Sequence, residues 1–89
     1  METTMNIGQV SETVANGTSY KAVTITKGKT SWTFLQVVGA FNYVSVRKNH
    51  ANPFCNRLGT EFKSFDHAQE KYTDPNLKSM ILMAEMALK

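Results

Sequence analysis

With 89 residues, 42% of them hydrophobic and 19% charged, the chain has the size of one domain and an ordinary globular composition, which excludes wholesale disorder and allows only a thin core. One cysteine, Cys55, excludes an internal disulfide framework, and no run reaches the roughly 18 apolar residues of a membrane span. The net charge of +3 is small, but residues 13–60 contain Lys21, Lys27, Lys29, Arg47, Lys48 and Arg57 and no acid, so the positive charge is gathered in the middle of the chain.

The start, METTMNIGQV, has neither a basic n-region nor an apolar h-region. With five methionines and a lone cysteine this predicts a cytoplasmic protein that is neither secreted nor in contact with a membrane. Residues 1–18 are polar and aperiodic and are expected to be a flexible leader or at most a peripheral strand, with a single domain over 19–89. The NGT at 16–18 matches a glycosylation sequon but is read as a turn.

From Tyr20 the pattern acquires a period of two, the signature of a half-buried strand. Val23 and Ile25 alternate with Tyr20, Ala22 and Thr24, and KGK then turns the chain. A second strand sets Thr33, Leu35 and Val37 against Trp32, Phe34, Gln36 and Val38. A third sets Val44 and Val46 against Phe41, Tyr43, Ser45 and Arg47.

Register follows from loop length, because a slip of one residue exchanges the two faces. A two-residue loop at Gly39-Ala40 pairs Val38 with Phe41, Leu35 with Val44 and Trp32 with Arg47. An odd loop centred on Gly28 pairs Thr24 with Trp32 and Ala22 with Phe34. The expected sheet then has one aliphatic face (Val23, Ile25, Leu35, Val37, Val44, Val46) and one face that is aromatic, polar and cationic.

After the Asn- and Pro-containing HANPFCN, a fourth strand is expected near Leu58 to Phe62. Ser64 or Asp66 can cap a short helix carrying Phe65, Ala68 and Tyr72. Asp74-Pro75 then restarts the chain as a helix over 75–88, with Leu77, Ile81, Ala84 and Leu88 as its apolar stripe, flanked by Met80, Met83 and Ala87. Leu82 and Met86 fall on the opposite side and predict a second contact. The fold class is thus α+β, an antiparallel meander of three or four strands followed by C-terminal helices packed on one face.

These helices cover one face of such a sheet and leave the aromatic face bare, with rings of about 150 to 250 Å² each. Rings interleaved with cations on an acid-free sheet suit single-stranded DNA or RNA, because bases stack on the rings while cations follow the phosphates. The expected nucleic-acid-binding residues are Trp32, Phe34, Tyr43, Arg47, Lys48, Lys21 and Lys27. In architecture the arrangement resembles small sheet-plus-helix single-strand binders such as the Whirly and PUR domains, whereas VGAFNYVSV does not match the signature of an RNA-recognition motif.

Two other readings stand beside it. Aromatic residues are good strand formers, so the same face can be a second core closed by another copy or by residues 1–18. It can also bind a protein, as an accessory or inhibitor of a larger complex. A homodimer is expected through the methionine-rich helix or an edge strand, with Leu82, Met86 and Phe41 at the interface.

Enzyme chemistry finds little support. His50, Cys55 and His67 share no thiol-protease motif, Asp66, His67 and Glu70 lack a recognised metal-ligand spacing, and Gly28, Gly39 and Gly59 are isolated turn glycines rather than a phosphate loop. The expectation is a non-enzymatic binding module without cofactor or metal.

Overall fold

The structure is a computed structural model, and the description covers residues 5–39, 42–48 and 60–88. Six strands, β1 (Met5–Ile7), β2 (Ser11–Ala15), β3 (Thr18–Lys27), β4 (Thr30–Val38), β5 (Tyr43–Lys48) and β6 (Thr60–Phe62), precede two helices, α1 (Phe65–Lys71) and α2 (Pro75–Leu88). All described strand pairs are antiparallel, in the order β1-β3-β4-β5-β6, with β2 also paired to β3. The sheet is therefore larger than the three or four strands expected.

The additional strands come from the supposed leader. β1 and β2 lie one after the other along the same edge of β3, β1 opposite Ile25–Lys27 and β2 opposite Thr18–Ala22. Gly8 bridges the break between them by donating its amide to Thr24 O at 2.9 Å. A side chain at Gly8 would stand 3.2 Å from that same carbonyl, so the close approach favours glycine. β2 and β3 are joined by Asn16-Gly17 with φ of 53° and 77°, the positive pair a two-residue hairpin of matched twist requires.

Both predicted registers are off by one. β3 and β4 close over the two residues Gly28-Lys29, with Lys27 opposite Thr30, Ile25 opposite Trp32 and Val23 opposite Phe34. β4 and β5 pair Phe34 with Val46 and Val37 with Tyr43, one residue away from the pairing expected of a Gly39-Ala40 loop. The two slips act on the same strand. β3 and β5 keep their assigned faces, and β4 alone is turned over.

The reason is how much β4 offers on each side. Turning Trp32 and Phe34 toward the helices buries two rings, each larger than the Leu35 and Val37 they displace. The main core accordingly joins Val23, Ile25, Phe34, Val44 and Val46 to Phe65, Ala68, Leu77, Met80, Ile81, Ala84 and Leu88, with Met5, Trp32, Phe62, Tyr72 and Met83 at its margin. A smaller cluster of Ala22, Leu35 and Val37, bordered by Tyr20 and Tyr43, occupies the other face.

The helices follow the sequence closely. Ser64 caps α1, its Oγ accepting the His67 amide at 3.4 Å, and Asp74 Oδ1 accepts the Asn76 amide at 2.9 Å at the start of α2. α2 packs on β3 and β4, and α1 on β5 and β6. Of α2, Leu77, Met80, Ile81, Ala84 and Leu88 are buried, while Leu82 and Met86 are 53% and 75% exposed. No helix among the described residues is long and apolar enough to cross a membrane.

Candidate interaction surfaces

The open aromatic face does not form. Phe34 is fully buried under the helices, in the main core. Trp32 is half-buried on the same side and meets Tyr72 edge to face, the ring centroids 6.3 Å apart, and Tyr72 in turn meets Phe62 at 5.8 Å. These rings plug the end of the core beneath the link between α1 and α2. They are packing elements first.

Tyr43 and Arg47 lie on the opposite face. Arg47 is 1% exposed, opposite Thr33 in β4, and both Thr33 and Ser45 are fully buried beside it. Thr24 and Thr33 share a hydrogen bond between their hydroxyls at 3.0 Å. A guanidinium so enclosed offers little surface to a phosphate. The expected constellation of Trp32, Phe34, Tyr43 and Arg47 is thus divided between two faces, and two of its four members are buried.

The lysines separate as well. Lys21 reaches Glu12 across the β2–β3 ladder at 3.9 Å, near one end of the sheet. Lys27 stands at the other end, its Nζ donating to Asn76 Oδ1 at 2.8 Å. Lys48 is the nearest match to expectation, its Nζ lying 5.9 Å from the Trp32 ring centroid, within the range of a cation–π contact. Lys27, Lys29 and Lys48 thus gather at the Trp32 end, beside a cleft of about 150 Å³ between Trp32, Asp74 and Leu77.

The most exposed part of the sheet lies within residues 1–18, expected as a flexible leader or at most a peripheral strand. All five residues of β2 are exposed, and among the described residues β2 has a hydrogen-bonded neighbour, β3, on one side only. Six large hydrophobic residues are exposed among those described: Ile7, Val10, Val14, Val38, Leu82 and Met86. Three of them fall within residues 7–14. A fourth, Val38, stands in the same row as Val14, each opposite Ser19 in its own ladder. Val14, at 65% exposure, is the most open residue of the sheet's apolar set. The signal available in the sequence is the Asn16-Gly17 pair itself, a two-residue hairpin turn directly before the strand that starts at Thr18.

Leu82 and Met86 form an outward ridge on α2, as expected, while Phe41, His50, Cys55 and Arg57 lie outside the described residues. A second cleft, about 280 Å³, opens between the end of β4 and the start of α1 and is lined by Gln36, Val38, Asn42, Ser64, Asp66 and Glu85. No three acidic, histidine or cysteine side chains among the described residues converge on a point that could hold a metal. No family model matches this chain, and neither a curated protein nor a solved structure matches it.

Proposed function

We propose that the protein is a non-enzymatic interaction module whose working surface is the β2 edge of its sheet. One observation carries this reading: a five-residue strand, open along its outer edge among the described residues, that sits next to the main concentration of exposed apolar side chains. Free strand edges present rows of unpaired amides and carbonyls, and soluble proteins usually blunt them with proline, lysine, bulges or a cover. β2 carries neither proline nor lysine, and its one charge, Glu12, is engaged by Lys21. Strand addition supplies affinity through the main chain and selectivity through the side chains beside it.

A photo-reactive residue at position 14 tests this. It should link the protein to a polypeptide partner, while the same probe at position 78, on the helix, should not; the absence of any adduct at position 14 would remove the reading.

A second reading keeps single-stranded nucleic acid as the ligand and moves it from the sheet face to the sheet end. It rests on Lys27, Lys29 and Lys48 standing around the half-buried Trp32, where a cation and a ring are already in register. Its test is optical: single-stranded oligonucleotides should quench the emission of Trp32 at low salt.

A further inference from the structure

We infer that the partner of the β2 edge is the β2 edge of a second copy of this chain, paired antiparallel about a two-fold axis at Thr13. This deepens the strand-addition reading above by naming the occupant.

The hydrogen-bonding parity of β2 comes from its hairpin. Ala15 and Thr18 flank the two-residue turn and form the pair that exchanges both backbone bonds, so Ala15, Thr13 and Ser11 point their amides and carbonyls toward β3. The backbone groups of Glu12 and Val14 therefore point outward. In a two-fold antiparallel pair centred on Thr13, Glu12 of each copy lies opposite Val14 of the other. Those outward groups satisfy one another, adding roughly four ladder bonds.

Other centres do worse. Centring on Glu12 sets two carboxylates directly opposite, which is unfavourable. Centring on Val14 runs Glu12 of each copy against Asn16 of the other, where a φ of 53° has already turned the backbone out of the strand. Only Thr13 brings all of Ser11–Ala15 into the ladder. The two Glu12 side chains are then diagonal neighbours, and each has its own Lys21 at 3.9 Å to offset the repulsion.

The axis stands perpendicular to the sheet, so both copies keep their helices on one side. The sides of α2 that carry Lys78 and Glu85 face α1: Gln69 Nε2 donates to Lys78 O, and Glu85 shares a cleft with Ser64 and Asp66. Met83 and Ala87, about 140° or more round the helix from these, are half-buried on the flank nearer the seam. Val14 of each copy gains the neighbouring strand as cover. Leu82 and Met86 stay on the outward ridge, away from the seam.

The decisive experiment uses the non-hydrogen-bonded Thr13 pair, whose Cα atoms would approach to about 4.5 Å, within disulfide range. In a Cys55→Ser background, the full chain with Thr13→Cys should oxidise to a linked dimer, and the chain with Lys78→Cys should not. Sedimentation should show a concentration-dependent dimer for the unaltered chain. Val14→Pro, which removes an outward amide and leaves the β3 ladder intact, should weaken it by about tenfold or more while the circular dichroism is retained. Leu82→Lys with Met86→Lys should leave the dimer as it was. A monomer at all concentrations, no linkage through position 13, or a dimer abolished by the helix-ridge changes and indifferent to Val14→Pro would each overturn the inference. If the chain is monomeric and the probe at position 14 still links a different polypeptide, the strand-addition reading stands and self-pairing falls.

Discussion

Trp32 and Tyr72 meet edge to face, 6.3 Å between centroids, which ties the only tryptophan of the chain to the segment joining its two helices. Phe62 extends the contact from β6, 5.8 Å from Tyr72, so three elements distant in sequence are clamped at one point. Edge-to-face pairs contribute about 0.5 to 1.5 kcal/mol beyond the area they bury. Trp32→Ala should therefore destabilise the fold by about 2 to 4 kcal/mol, less than for a fully buried tryptophan because the ring is half-exposed. Tyr72→Ala should cost about 1 to 3 kcal/mol. Urea unfolding followed by circular dichroism measures both; a Trp32→Ala protein as stable as the parent would show that the ring is not part of the core.

The same tryptophan tests the nucleic-acid reading. If bases reach its exposed rim, short single-stranded oligonucleotides should quench its fluorescence at low salt. The apparent affinity should fall with salt at a slope of about 0.7 for each phosphate neutralised. Lys27→Glu combined with Lys48→Glu should abolish the quenching without unfolding the chain, since Lys48 is exposed and the Lys27 bond to Asn76 is a surface bond. Unchanged emission across the titration removes this reading.

The elements of this fold are legible in the sequence because their signals are local. Ser64 and Asp74-Pro75 mark helix starts by chemistry that acts within three residues, and the α2 stripe repeats at helical spacing on a single face. β3 and β5 also declare their faces, each with aliphatic residues on one side and polar or aromatic ones on the other. β4 does not. With Trp32 and Phe34 on one side and Leu35 and Val37 on the other, either face can be buried, and the choice depends on what the helices need to fill. Loops that differ by one residue from the expected lengths at each end of β4 change the site, because Trp32 and Phe34, two of the rings expected on the open face, both belong to that strand. The β2 edge is faint in the sequence for a different reason: four small or polar residues and one valine become conspicuous only when β3 pairs with them on one side and nothing described pairs on the other.

Ser45 supplies a test on the face away from the helices. Its Oγ is buried without a hydrogen-bond partner among the described residues, between Leu35 in β4 and Glu61 in β6. A buried hydroxyl in that position loses its hydration and recovers nothing. Ser45→Ala should be neutral or stabilising by up to about 1 kcal/mol, in contrast to Thr33→Val, which breaks the hydroxyl pair with Thr24 and should destabilise by about 1 kcal/mol or more. Thermal unfolding of the two variants should shift in opposite directions or leave only Thr33→Val displaced. A marked loss of stability in Ser45→Ala would mean that the hydroxyl is satisfied.

The start of α2 is held from two directions, and the two contributions can be separated. Asp74 caps it: its carbonyl accepts the Lys78 amide at 3.0 Å as the first bond of the helix, and its side chain accepts the Asn76 amide at 2.9 Å, a donor that would otherwise point into solvent. Asn76 then passes the connection on to the sheet, its Oδ1 accepting from Lys27 at 2.8 Å. The cap acts on helix formation itself and should matter more than the surface bond. Asp74→Ala should destabilise by about 1 kcal/mol, and Asp74→Asn, which keeps an accepting oxygen, by only a few tenths. Asn76→Ala should fall at or below about 0.5 to 1.5 kcal/mol, because water replaces an exposed hydrogen bond readily. Chemical denaturation of the three variants orders them, and an Asp74→Asn as damaging as Asp74→Ala would show that the charge, through the helix dipole, rather than the hydrogen bond is what secures α2.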